Sequence, residues 1–466
     1  MRRCVLPLLT STLVVVVTAA GCSRRSAPAK DGDLPPKILL ITLDTTRADH
    51  VSAYGYQRQT SPTLDALATK GVRFANAYTV MPTTDPAHTS MLTGQYPRTH
   101  GVTQNAAQRS NPDGPSLAAW LKDRDYVTAA ITARLGLDPP LRRIAGFVHS
   151  DAPRLPQKER DAAEVLALAT SWLAGRGGER WFLWVHFWDP HKPYRPEASA
   201  RERFATRPIP RKSRFEDPIR FLPAGRSVDA QIIDAAVALY DAEIWSADRA
   251  VARLIEAATQ AAPAAVAPLI VVVGDHGESL ADRQEETRIG FGHGTHINDE
   301  VVKVPWIVAW DGHARPGVVG AAVSVVDLTP TLIDLIEPGA KLDCEGRSLA
   351  AAILTGREPV SVPIVLERRP FRSKPLPGLL HAEFAWIEHP WKLIQREGGT
   401  PARLYDLSHD PAEVRDIAAE EPERVARLAD RLARWKAERP LRHDQRALSP
   451  ESAAEREALR SLGYVD

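Results

Sequence analysis

The stretch Lys37-Ile38-Leu39-Leu40-Ile41-Thr42-Leu43-Asp44 decides the fold. It is a nearly continuous apolar run of strand length that ends on a carboxylate. A strand that is apolar at consecutive positions has no solvent face, which suits the centre of a parallel sheet covered by helices on both sides. Three other segments share this character: Tyr126 to Thr132, Trp181 to Trp188, and Leu269 to Val273 followed by Gly274-Asp275. Val304 to Trp310 reads as a fifth strand. Helical stretches lie between them. Asp161 and Glu164 have the spacing of a capping box that opens a helix toward Leu173. Val228 to Gln260 keeps a helical period without a breaker. Strands alternating with helices predict an α/β fold, with a mostly parallel central sheet and helices on both faces.

In such sheets the site lies beyond the carboxyl ends of the strands. Asp44, Asp189 and Asp275 each follow a predicted strand at that end. Asp275-His276 sits in Val273-Gly274-Asp275-His276-Gly277-Glu278 and pairs a hard oxygen with an imidazole nitrogen, both metal-ligand types. Pro82 to Gly94 reads as a loop entering a short helix that Gly94 closes. A hydroxyl at that helix start, Thr84, would face free backbone N–H groups and the positive dipole end, which favour an alkoxide or a bound oxyanion. The same position also suits a plain N-cap.

Composition removes other classes. The chain has 466 residues, 44% hydrophobic and 25% charged, so neither a disordered nor a fibrous protein fits. Fifty-nine Lys and Arg against 58 Asp and Glu leave a formal charge of +1, without the basic excess of a nucleic-acid-binding protein. Met1-Arg2-Arg3, an apolar stretch from Val5 to Ala20 and Ala19-Ala20-Gly21-Cys22 have the layout of an export signal. The expectation is a signal peptide over 1–21 and a lipidated Cys22 with a tether over 22–36, which places the protein outside the cytoplasm on a membrane through its lipid anchor. Cys344 then has no disulfide partner in the mature domain apart from an unmodified Cys22, so the fold does not rest on a disulfide framework.

Eight elements in order resemble the sulfatases of the alkaline phosphatase superfamily. They are Asp44 with Tyr54-Gly55; Ser61 to Asp65; Leu92-Thr93-Gly94-Gln95-Tyr96-Pro97 with His100-Gly101-Val102; Asp189-Pro190-His191-Lys192-Pro193-Tyr194; Gly274 to Glu278; Val304-Pro305; Asp327 to Thr331; and Leu404 to Leu407 with Asp410-Pro411. The resemblance implies a catalytic domain over 37–360, a small C-terminal α+β subdomain over 361–440 and a charged tail over 441–466.

The departures are specific. Laying Pro86 on the proline of the family's Cys-x-Pro-x-Arg signature puts Thr84 at the nucleophile and His88 at the arginine. Threonine cannot become formylglycine. Thr45 stands where a second acidic ligand is usual, and Thr132-Ala133-Arg134-Leu135-Gly136 replaces a Gly-Lys-x-His element. What remains resembles the threonine-nucleophile branch. That likeness implies one divalent ion at Asp44, Thr84, Asp275 and His276, and attack by Thr84 on a small anionic ester. Imidazole ligation favours Zn2+ or Mn2+ over Ca2+. A threonyl ester needs activated water to release it, so Asp189, His191 and His293 are candidates for a second ion or a base.

Other residues keep two readings. Arg47 pairs with a substrate oxyanion or with a surface acid. His186 faces the site or fills the core. His88 donates to a bound phosphate or sulfate or points to solvent. Glu278 supports His276, His296 belongs to a loop, and Trp181, Trp184 and Trp188 alternate as strand packing. Phosphodiester or phosphomonoester hydrolysis is the leading expectation, then group transfer or sulfate ester cleavage. The rival from another class is a non-catalytic, metal-stabilised binding lipoprotein.

Overall fold

The computed structural model describes residues 37–441 except 106–113, 135–143, 155–156, 206–212, 217, 219–221, 224–225, 264–265, 285–289 and 371–378. The signal, Cys22, the tether and the tail beyond 441 therefore lie outside the described residues, as do parts of the loops 151–156 and 195–226. No helix among the described residues is long and apolar enough to cross a membrane.

Among the described residues eleven strands precede the C-terminal region: β1 (Ile38–Leu43), β2 (Val72–Tyr78), β3 (Val127–Thr132), β4 (His149–Asp151), β5 (Trp181–Phe187), β6 (Leu269–Gly274), β7 (Ser279–Leu280), β8 (Phe291–Gly292), β9 (Lys303–Val304), β10 (Trp306–Ala309) and β11 (Gly317–Ser324). The main sheet runs β11-β2-β10-β6-β1-β5-β3-β4, with β9 paired to β2. β6, β1, β5, β3 and β4 are parallel to one another. The expected fifth strand is split at Pro305 into β9 and β10, and β10 runs antiparallel to β6 and β2. An apolar run fixes burial but carries no direction, which explains the difference.

β1 is buried at every position, and its residues separate by parity. Ile38 and Leu40 join a core with Phe182, Trp184 and Val271, whereas Leu39, Ile41 and Leu43 join a second core with Leu183, Val185 and Val272. Successive strand side chains point to opposite faces, so one apolar run holds both layers.

The helices that position the site are α1 (Pro62–Lys70), α2 (Thr84–Thr93), α3 (Ala162–Leu173), α4 (Ala230–Gln260) and α5 (Leu328–Ile336). The expected capping box is present: Asp161 accepts from Glu164 N, and the Glu164 side chain accepts from Asp161 N. All ten residues of α2 are buried. The helix ends at Gly94, whose left-handed φ of 66° and close approach to Cys344 leave no room for a Cβ.

A four-stranded antiparallel sheet follows, β12 (Ile364–Arg368), β13 (Glu383–Glu388), β14 (Trp391–Arg396) and β15 (Arg403–Asp406), and then α6 (Pro422–Glu438). Lys392 of β14 is fully buried between Asp299 at 2.7 Å and Glu413 at 2.8 Å, so one ammonium ties this sheet to the short helix at Asp299 and to the segment that follows β15.

Candidate active site

Strand order brings the carboxyl ends of four parallel strands together. β1 delivers Asp44, β5 ends with His186 and Phe187, β6 runs into Asp275-His276, and Arg134 lies two residues beyond β3. The start of α2 places Thr84 against them.

The two carboxylates are each half used. Asp275 Oδ1 accepts from Thr45 N at 3.1 Å and His276 N at 2.7 Å. Asp44 Oδ2 lies 3.2 Å from His186 Nε2. The remaining oxygens, Asp44 Oδ1 and Asp275 Oδ2, are buried without a hydrogen-bond partner. His276 Nε2 lies 3.8 Å from the first and 3.5 Å from the second, and Thr84 Oγ1 lies 3.4 Å from the same nitrogen. His276 Nδ1 lies 3.0 Å from the Gly277 carbonyl, which can only accept, so Nδ1 carries the hydrogen and Nε2 presents its lone pair.

Two orphaned carboxylate oxygens, an imidazole lone pair and a hydroxyl thus converge within a few ångströms. Ligand bonds of about 2.0–2.2 Å place tetrahedral ligand atoms roughly 3.4 Å apart, so the donor set fits a divalent cation. Asp44, Asp275 and His276 come within 4.8 Å of one another as ligand atoms.

Electrostatics point the same way. Burial pushes the Asp44 carboxyl up to about 6 despite His276. Burial and the neighbouring Asp44 hold Asp275 well above the usual carboxylate range. Burial and His293 push His276 down to about 3. Two buried carboxylates facing a neutral imidazole are an arrangement that a cation relieves.

The local backbone is strained to make this geometry. Thr45 has φ of 48°, in the left-handed region where a β-branched residue is uncommon. Its N–H reaches Asp275, and its carbonyl accepts from Tyr240 Oη of α4 at 2.7 Å. Gly277 is needed as well, because a Cβ there would lie 2.1 Å from the Glu300 carbonyl oxygen.

His88 has a different place from either expected one. It is buried, with Nδ1 2.8 Å from the Thr84 carbonyl and Nε2 3.0 Å from Thr42 Oγ1. The carbonyl requires Nδ1–H. Burial and the neighbouring His186 hold the ring neutral, with its pKa well below the ordinary histidine value. Nε2 is therefore an acceptor for the Thr42 hydroxyl, which in turn accepts from Trp184 Nε1 at 3.0 Å. Ligand atoms of His88, His186 and Asp275 also come within 4.8 Å. Both nitrogens of His88 are already spent, so His88 is neither a substrate cation nor a metal ligand.

Two further expectations change. Arg47 spends its guanidinium on Asp49, Asp282 and the Glu278 carbonyl, with N···O distances of 2.7 to 3.2 Å, so it braces the loop instead of binding substrate. Asp189 shares a hydrogen bond with Glu243 of α4, and burial raises both carboxyls. It therefore does not join His191 and His293 as a second ion site. No group of three ligand atoms within 4.8 Å among the described residues contains any of these three. Glu278 lies 3.5 Å from His293 Nδ1, and its charge is also felt at His276.

His186 faces the site, through Asp44. His191 stacks on Trp188 at 3.8 Å and points Nδ1 at its neighbour's carbonyl, Lys192 O, at 2.6 Å, so Nδ1 carries the hydrogen and Nε2 the lone pair. Its ring centroid lies 5.2 Å from that of His293, which in turn lies 4.4 Å from that of His276. His296 is a buried loop residue bonded to Glu300 at 2.9 Å. Arg134, Thr42 and Asp85 escaped the sequence reading as site residues.

The family description "Sulfatase" matches residues 36–338, more than half of the chain. The chain belongs to the sulfatase family. Sulfatases are metal-dependent hydrolases of sulfuric or phosphoric esters, in keeping with the ligand group above. A Bacteroides thetaiotaomicron relative, delta 4,5-hexuronate-2-O-sulfatase, is 22% identical, with 82% of this chain and 84% of the relative covered. A solved structure described as bound to its substrate D-glucosamine-2-N,6-O-disulfate is 17% identical, has a TM-score of 0.73, and covers 87% of this chain and 98% of its own. The phosphonate monoester hydrolase of Silicibacter pomeroyi is 20% identical, has a TM-score of 0.68, and covers 89% and 97%. At these identities the structures establish the sulfatase fold.

Proposed function

We propose that this sulfatase-family protein hydrolyses a phosphate-type ester, a monoester or diester of a small anionic substrate, with Thr84 as the nucleophile. The observation that carries this reading is the 3.4 Å approach of Thr84 Oγ1 to His276 Nε2 beside two unpaired carboxylate oxygens. A divalent cation held by Asp44, Asp275 and His276, with Zn2+ or Mn2+ favoured by the imidazole, supplies positive charge that lowers the hydroxyl's pKa. Thr84 Oγ1 attacks phosphorus, its proton passes through solvent to the leaving group's oxygen, and the P–O bond to that oxygen breaks, releasing the alcohol or phenol. Water then attacks phosphorus, giving a proton to His191 Nε2, and the P–Oγ1 bond breaks; Oγ1 takes back a proton as His191 releases its own to solvent, so the hydroxyl and the neutral imidazole are both restored.

His191 is assigned the role of base on its geometry: its Nδ1–H is committed to the Lys192 carbonyl, so Nε2 presents a lone pair. Sulfate ester cleavage through the same atoms is the second reading, favoured by the sulfatase relatives. Purified protein loaded with Zn2+ or Mn2+ and assayed on an aryl phosphate, an aryl phosphodiester and an aryl sulfate separates these readings. Activity on a phosphate ester that Thr84→Ala abolishes is the expected result. Inertness toward all three esters under several metals would leave a binding lipoprotein, and activity confined to the sulfate would favour the second reading.

Export and lipidation at Cys22 complete the proposal. Cys22→Ser is expected to move the protein from the membrane fraction to the soluble fraction.

A further inference from the structure

A cavity of about 630 Å3 opens beside the segment that follows β1, lined among others by Tyr54, Arg73, Lys303, Pro411 and Val414. It shares no residue with the ligand group of Asp44, Asp275 and His276. Its volume lies within the roughly 300–1,000 Å3 that small-molecule sites occupy.

Four acids line this cavity, and each already holds a cation. Asp49 and Asp282 hold Arg47 at 2.7 and 2.9 Å. Glu300 holds Arg283 at 2.6 Å, and Asp299 holds Lys392 at 2.7 Å. Two lining cations are left over. Among the described residues, neither Arg73 nor Lys303 has an ion pair or a side-chain hydrogen bond.

Both are half-buried on paired strands of the main sheet, Arg73 on β2 and Lys303 on β9. Arg73 lies over the Tyr54 ring, 4.7 Å from its centroid. That ring is fixed, because Tyr54 Oη donates to the Trp306 carbonyl at 3.0 Å and accepts from the Trp306 N–H at 2.7 Å. The guanidinium is therefore oriented through its flat face, and the N–H groups around its edge stay uncommitted. Lys303 lies 6.0 Å from the ring centroid of Tyr78, its cross-strand partner. A partly desolvated cation without a counter-charge is costly, and an anionic ligand relieves that cost.

We propose that this cavity binds a small hydroxylated organic anion, with its acidic group against Arg73 and Lys303 and its hydroxyls against Asp49 and Asp282. A carboxylate offers about four lone-pair sites, so these two exposed acids still accept from hydroxyls while holding Arg47. Pro411 and Val414 supply an apolar wall for the ligand's C–H groups. The site is separate from the chemistry at Thr84 and stands or falls without it.

The test uses glucuronate and glycerate, hydroxylated acids that carry no ester, with glucose as the uncharged control. Calorimetry measures each against the full Mn2+-loaded chain, and hydrogen exchange locates the contact. Binding of an acid, but not of glucose, is expected, with slower exchange in residues 72–75 and 411–415 and no change in 84–93. Losing one charged hydrogen bond predicts about 10-fold weaker binding in Arg73→Gln and in Lys303→Gln. The two substitutions lie on different strands, so either folded variant gives the readout independently. Affinity within twofold of the parent in a folded variant, protection confined to 84–93, or neither heat nor protection with either acid at millimolar concentration overturns the proposal.

Discussion

The Nδ1–H of His88 is donated to the carbonyl oxygen of Thr84 across 2.8 Å, one turn along the same buried helix. The bond fixes the backbone of Thr84 from below while its side chain faces His276. His88 is itself fixed from β1 by Thr42, which is anchored from β5 by Trp184. Two strands therefore hold the first turn of α2 through one imidazole.

Thr42→Val breaks that chain at its middle. It leaves the buried Trp184 N–H and His88 Nε2 without partners, at a cost of about 1–3 kcal/mol in stability. Loosening Thr84 by a fraction of an ångström is expected to lower kcat about 10–100-fold with little change in KM. Thr42→Ser, which keeps the hydroxyl, restores most of kcat. A Thr42→Val enzyme with wild-type kcat would show that the chain is packing alone.

Metal removal acts on stability as well as activity. Asp44 and Asp275 face each other with unpaired oxygens in the buried site. Zn2+ or Mn2+ at 100-fold excess over Kd should stabilise the protein by about 2.7 kcal/mol, read as a higher Tm than in chelator. Asp275→Asn abolishes that increment and the activity together. A Tm indifferent to both ions would contradict the ligand assignment.

Glu300 gives a pH prediction away from the metal ligands. Burial alone would raise its carboxyl, but the hydrogen bond from His296 and the charge of Arg283 outweigh burial and hold it well below the ordinary range. The folded pKa lies below the unfolded one, so the contribution is present above the unfolded value near 4.5 and is lost as pH falls through the folded value. Glu300→Gln should destabilise by about 1.5–3 kcal/mol at pH 7. The difference from wild type should shrink as denaturation is repeated at progressively lower pH below that unfolded value. A gap independent of pH would mean that Glu300 acts through packing.

Much of the site was legible because it follows from local rules. The apolar run of β1 ending at Asp44, the turn after β6 carrying Asp275-His276 and the helix start at Thr84 each need only neighbours in sequence. The capping box at Asp161 is of the same kind. Residues whose roles depend on pairing across the sheet were harder to place. Asp189 reads as a site carboxylate until α4 presents Glu243 to it. His88 reads as solvent-facing or substrate-facing until β1 and β5 supply Thr42 and Trp184. Arg134 reads only as part of the segment that replaces the Gly-Lys-x-His element until the fold pairs it with Asp85 of α2. The direction of β10 is set by how the chain returns after His293, which no hydrophobic pattern encodes.

The central claim is that Thr84 Oγ1 forms the bond to the transferred group. Rapid-quench peptide mapping of metal-loaded protein mixed with an aryl phosphate tests it most directly. The account predicts the mass of one phosphoryl group on the peptide containing Thr84, fragment ions that place it on Thr84, and its absence in Thr84→Ala, which is inactive. A phosphoryl group on another side chain, or turnover at the wild-type rate in Thr84→Ala, would contradict it.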